Sequence, residues 1–212
     1  MLFVLIVLLL VASVFVLLMK KNRESLCLLG MCCSLMVQFS GILIFIAKKG
    51  GYSRSIINFL FFSLALRNKL QYLFITLDAL GYIIAVGRYL FPLFLLESAL
   101  QYSMIGWIRR HPDIQKWICV LPAATLAVYF PPVFRFIVNR WPVMHSVLVE
   151  GSYWWITAYV AVALVLMIQE LFAITMRFCR KQFVGIVGCH LALSGLYLLY
   201  CGQDPAQVYQ FY

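Results

Sequence analysis

Charge is what this sequence has least of. Asp and Glu number seven and Lys and Arg 17 in 212 residues, so only 11% of positions are charged while 65% are hydrophobic. A soluble domain carries about 25% charged and roughly 45–50% apolar residues. A chain of this length has too little interior to hide that apolar excess from water. Chemistry-bearing motifs are scarce as well. There is no GxGxxG, GxxxxGK[ST], GxSxG or HExxH, so the chain gives no basis for an enzymatic activity of its own. The seven cysteines form no CxxC pair, and neither a metal nor another cofactor is expected. Cys27, Cys32, Cys33, Cys189 and Cys201 fall in or beside apolar runs, where a thiol behaves as a small hydrophobe.

What remains is a series of apolar runs, several of which reach the roughly 20 residues that cross a ~30 Å hydrocarbon core. The expected fold is an all-α, polytopic transmembrane helix bundle forming a single domain, residues 1–212. Spans are expected at about 2–19, 26–47, 77–106, 117–138, 153–176 and 183–201. The first has no positive n-region and no small-residue cleavage site, so it reads as a retained helix. In the third, Thr76 and Asp78 mark a helix start and Pro92 predicts a kink, because proline withdraws a backbone donor. A hairpin of two short spans turning at Gly87-Arg88 is the alternative. Residues 48–72 have an apolar centre, Ile56 to Leu66, that is too short to cross and predicts an interfacial or re-entrant helix.

The net charge of +10 resides in short basic clusters between the apolar runs, the pattern of loops beside anionic lipid, and nucleic acid is not an expected partner. Lys20, Lys21, Arg23, Arg109, Arg110, Lys116, Arg177, Arg180 and Lys181 fall on one side, nine against seven on the other, which points to an outside N-terminus. With six spans the C-terminus would also be outside. The closing CGQDPAQVYQFY is polar and stops soon after the last span, which suggests a fragment whose next span is missing.

Ionisable groups within spans are costly and mark function by default. They are Arg88 and Glu97 on the third span, Glu170 on the fifth and His190 on the sixth. Arg88 and Glu97 are nine residues apart, half a turn out of phase, and cannot pair with each other on a straight helix. Arg88 therefore needs a partner on another helix or subunit, such as Asp78, Glu97 or Glu170, or backbone carbonyls. A ligand-binding cation, suited to carboxylate or phosphate, is the other reading. Glu97, Glu170 and His190 lie at similar depth and would serve either as a shared proton or cation site or as three separate interhelical contacts. Gly185, Gly188, Ala192 and Gly195 form a small-residue stripe suited to close helix packing, within the chain or at a dimer seam. Tyr129, Phe130, Trp141, Tyr153, Trp154 and Trp155 read as an interfacial aromatic belt or the lining of an outer pocket, with His145 in a solvated loop.

The strings LRNKLQY (66–72), GRYLFPLFLL (87–96), ALQYS (99–103), IRRHP (108–112), YFPPVFR (129–135) and YCGQDPAQVYQFY (200–212) resemble the N-terminal multi-helix membrane sensor region of Gram-positive, Clostridia-type sensor histidine kinases. The resemblance implies a plasma-membrane receptor, a homodimer, that answers an unknown small-molecule or peptide signal. It further implies a seventh span leading to a phosphoacceptor histidine, a GHKL-type ATP-binding domain and a cytoplasmic response regulator. None of that machinery lies in these 212 residues. Arg88, Pro92, Glu97, Glu170 and His190 are the candidate switch or ligand residues. A small transporter or channel subunit is the competing expectation, although no internal repeat is apparent.

Overall fold

The computed structural model describes residues 2–18, 22–49, 77–103, 105, 113–141, 143–174 and 177–201. Among these the chain is all-helical: α1 (Leu2–Leu18), α2 (Arg23–Lys49), α3 (Leu77–Tyr102), α4 (Ile114–Val128), α5 (Pro131–Arg140), α6 (Val143–Ala173) and α7 (Arg177–Cys201). Helices are what apolar surroundings demand, since each backbone N–H and C=O must find its partner within the chain. Hydroxyls follow the same rule. Ser13, Ser34, Thr125 and Thr157 each donate to the carbonyl four residues back, at 2.6–2.8 Å.

Four helices, α2, α3, α6 and α7, are long and apolar enough to cross a bilayer, and the bent pair α4–α5 raises the number to five. By length and composition this is a multi-pass membrane protein. The expected six spans are slightly too many, because α1 is only 17 residues long and the fourth run is broken. That break has a local cause. Phe130 takes an extended conformation, as a residue before proline must, and Pro131 then opens α5 at its first turn, where no N–H is needed. The two segments meet at 73°. By contrast, α3 passes through Gly87, Arg88 and Pro92 as one helix, so the hairpin alternative does not hold. The expected interfacial helix at 48–72 lies almost wholly outside the described residues, as does Thr76.

Helix α6 begins at Val143, ten residues ahead of the expected start. His145 therefore sits in its first turn rather than in a loop, half-buried and edge-on to Phe134 at 5.9 Å. The aromatic belt divides. Trp154, Trp141 and Phe130 are exposed, whereas Tyr129 is fully buried and Tyr153 and Trp155 are half-buried.

The core is organised by an antiparallel contact between α2 and α3. Gly30 meets Phe94, Gly41 meets Ile84, and Gly87 meets the backbone of α2 itself. A Cβ at Gly87 would stand 2.5 Å from the Gln38 nitrogen and 2.5 Å from the Ser34 oxygen. Backbone atoms cannot swing aside, so only glycine fits there. The stripe on α7 behaves differently. Cβ atoms at Gly185, Gly188 and Gly195 would meet nothing within 4 Å, and Ala192 is exposed. Those small residues do not pack this helix against the other described helices.

Gly87→Leu should therefore separate α2 from α3 and destabilise the bundle by about 1–3 kcal/mol or more, while Gly188→Leu should destabilise it by less than about 0.5 kcal/mol. Denaturant titration of both variants in lipid-like micelles checks this. Equal effects at the two positions would show that the glycine contact does not hold the pair together.

Candidate functional site

Helix α3 carries the polar groups that tie the bundle together. They form two tiers, one near its middle and one at its C-terminal end.

The middle tier is built around Arg88 and Pro92. Arg88 is fully buried, and its guanidinium lies 4.6 Å from the ring centroid of Tyr153 on α6. A desolvated arginine over an aromatic face is stabilised by about 2 kcal/mol. The position follows from Gly87: successive helical residues turn by about 100°, so if Gly87 faces α2, Arg88 is carried round toward α6. The expected partners Glu97 and Glu170 are at a different depth. Glu97 lies about 14 Å farther along α3, and Glu170 bonds Ser103, about 22 Å along the same helix axis from Arg88.

Pro92 has no N–H, so the carbonyl four residues back, that of Arg88, has no donor within its own helix. Tyr197 of α7 supplies one: its hydroxyl donates to the Arg88 carbonyl at 3.0 Å, and its ring stacks on Phe91 at 4.5 Å. The device occurs twice. Pro122 inside α4 leaves the Ile118 carbonyl without a helical donor, and the Tyr159 hydroxyl of α6 donates to that atom at 3.0 Å. Each mid-helix proline is thus matched by a tyrosine from another helix. Beside this tier sits Gln38, fully buried at the Gly87 contact, with neither amide atom hydrogen-bonded.

At the other tier, the polar residues at the end of α3 reach three different helices. Ser98 Oγ is 2.9 Å from Nε2 of His190 on α7. The His190 Nδ1 lies 2.8 Å from the Ile186 carbonyl, an acceptor only, so Nδ1 carries a proton and Nε2 accepts from Ser98 when the ring is neutral. Gln101 donates to Cys27 Sγ on α2 at 3.2 Å, and the Tyr102 hydroxyl donates to Glu24 Oε2 at 3.3 Å. Ser103 Oγ donates to Glu170 Oε1 on α6 at 3.5 Å. Glu97, half-buried, lies within electrostatic reach of Cys27 and Cys119. Glu97, Glu170 and His190 thus have separate partners, and these contacts do not bring them together as one site. Among the described residues no group of three His, Cys, Asp or Glu side chains is placed to hold a metal ion.

The residues that reasoning from charge missed are uncharged: Gln38, Ser98, Gln101, Tyr102, Ser103, Tyr159 and Tyr197. A signal for two of them was available. Every interior proline announces a carbonyl four residues back that needs a donor from elsewhere. No protein-family model, curated protein or solved structure matches the chain.

Tyr197→Phe should cost about 1–3 kcal/mol by leaving the Arg88 carbonyl unbonded. In a Pro92→Ala background, where residue 92 supplies its own N–H, the same change should cost less than half as much. A double-mutant cycle of unfolding free energies measures the difference. Equal costs in both backgrounds would mean that the hydroxyl does not replace the missing proline donor.

Proposed function

We propose that this chain is the membrane signal-input region of a sensor histidine kinase, in which α3 relays a change at one face of the bilayer to the other. The observation that carries the reading is the set of contacts made by α3. At its N-terminal half, Tyr82 and Tyr89 pack on Phe130 and Tyr129 at the α4–α5 break, at 5.6 and 5.2 Å. At its C-terminal end it holds α2, α6 and α7 through Tyr102, Ser103 and Ser98. A shift of the bent α4–α5 segment would press on one end of α3 and be felt by three helices at the other. Interfaces of this type have discrete arrangements rather than a continuum, and small displacements become switches.

Three of the six strings that carry the family resemblance overlap these contacts. GRYLFPLFLL contains Gly87, Arg88 and Pro92; ALQYS contains Gln101, Tyr102 and Ser103; YFPPVFR is the break itself. In this reading the end holding Glu24 and Tyr102 faces the cytoplasm of a plasma-membrane protein, as the basic clusters suggest. The region would act as a homodimer and pass its signal to a response regulator through a kinase domain outside the chain. Arg88, Pro92 and the Ser98–His190 and Ser103–Glu170 pairs would distinguish the two states.

One observation favours a second reading, a small transporter or channel subunit. The 73° break between α4 and α5 resembles the discontinuous helices with which transporters build substrate sites. Flux of a panel of labelled cations and amino acids into proteoliposomes distinguishes this reading from the first.

The first reading is tested by the reading frame beyond Tyr212. It should continue into another apolar span, a phosphoacceptor histidine and a glycine-rich ATP lid. In that full-length protein, Arg88→Ala should change basal autophosphorylation by at least about threefold, the size of a 0.65 kcal/mol shift between two states. A stop codon directly after Tyr212 would remove the kinase reading. Unchanged autophosphorylation would remove Arg88 from the relay.

A further inference from the structure

At the end of the bundle where α2 begins, a cleft of about 510 Å³ opens between the first turns of α2, the end of α3 and one face of α7. Its volume is that of a small-ligand pocket. The lining is graded. Asn22, Glu24 and Ser25 of α2 and Gln182 of α7 form a polar mouth, and Leu28 and Ile186 form an apolar wall farther in. Along α7 the cleft extends from Gln182 to His190, eight residues or about 12 Å. A polar mouth with an apolar shaft has the shape of an amphiphile.

Charge narrows the choice. Among the described residues that line it, Glu24 is the one charged side chain. It is fixed by the Tyr102 hydroxyl, and the Tyr102 ring is itself braced edge-on by Phe183 at 5.4 Å and His190 at 6.4 Å. A carboxylate beside a held aromatic face is a site for an ammonium group. The flanking residues have the opposite sign: Arg23 precedes Glu24, and Arg180 and Lys181 precede Gln182, all exposed. Glu24 repels a simple anion, and the basic residues beside it in sequence disfavour a simple cation. A zwitterion satisfies both, its ammonium on Glu24 and Tyr102 and its phosphodiester toward the arginines and lysine.

The cleft also has a side exit. Gly185 lines it, and a Cβ there would meet nothing within 4 Å. Cys189, one turn on, also lines the cleft and is exposed. An acyl chain can therefore leave between α2 and α7 toward the surrounding lipid. We propose that this cleft seats the headgroup of an aminophospholipid of the phosphoethanolamine class, with Glu24 taking hydrogen bonds from its primary ammonium. The inference does not depend on the signalling reading.

The test uses the full chain, delipidated in detergent and offered equimolar phosphatidylethanolamine, phosphatidylcholine and phosphatidylglycerol, with retained lipid read by native mass spectrometry. Phosphatidylethanolamine should be retained at least fivefold over the other two. Phosphatidylcholine has the same charges but a trimethylated ammonium that cannot donate to a carboxylate. Glu24→Gln should bring the two zwitterionic lipids to parity. Gly185→Trp should abolish the preference by filling the cleft, with the melting temperature unchanged because no described residue lies within 4 Å of a Cβ at that position. Glycerophosphoethanolamine, the same headgroup without chains, should not compete at equal concentration. Equal retention of the three lipids by the unaltered chain would overturn the proposal, as would a preference that survives both substitutions. Displacement of the lipid by the chain-free headgroup would overturn the lipid as occupant.

Discussion

In a bilayer no water stands by to satisfy a carbonyl that has lost its donor, and a proline inside a helix always removes one. Among the described residues two prolines do this, Pro92 and Pro122, and two tyrosines restore the balance from outside the helix. The tertiary arrangement follows from that constraint. Tyr197 draws α7 to the middle of α3, and Tyr159 draws α6 to α4. Because the donors come from other helices, the backbone chemistry of each proline-containing helix is completed only by its neighbours.

The other fixed relation is the glycine contact between α2 and α3. It sets the rotation of α3, and the rotation decides what the following residues meet. Arg88 is turned toward Tyr153 of α6, and Ser98, Gln101, Tyr102 and Ser103 come to face three different helices. The burial of an arginine is thus a consequence of close packing next to it. Its cost is offset in part by an aromatic face.

Composition and run length made the helical membrane class legible, because both depend on the solvent and not on tertiary detail. Helix limits were less so. Val143–Gly151 contains His145, Ser146 and Glu150 and looks like loop, yet it is the start of α6, where a helix extends beyond its most apolar stretch. The YFPP string identified a helix end, but an apolar continuation through Val133 and Phe136 hid the 73° change of direction. The stripe on α7 had the right spacing for packing and faces outward all the same, since periodicity gives a face without saying what lies opposite. Glycines 30, 41 and 87 do the close packing without forming one conspicuous motif. Within the site, Arg88 was visible as a charge in an apolar run, whereas Tyr197 lies 109 residues away and nothing local connects them.

That separation has a bearing on how the protein is made. Arg88 leaves the ribosome 109 residues before Tyr197, an interval of roughly 5–20 s at ordinary rates of synthesis. Tyr159 follows Ile118 by only 41 residues, so α4 can be completed much sooner than α3. Through that interval the third helix must wait with its arginine carbonyl lacking its eventual donor, held near the insertion machinery or in contact with water. The last described helix therefore closes the bundle in time as well as in space, and insertion of α3 becomes final only when α7 arrives.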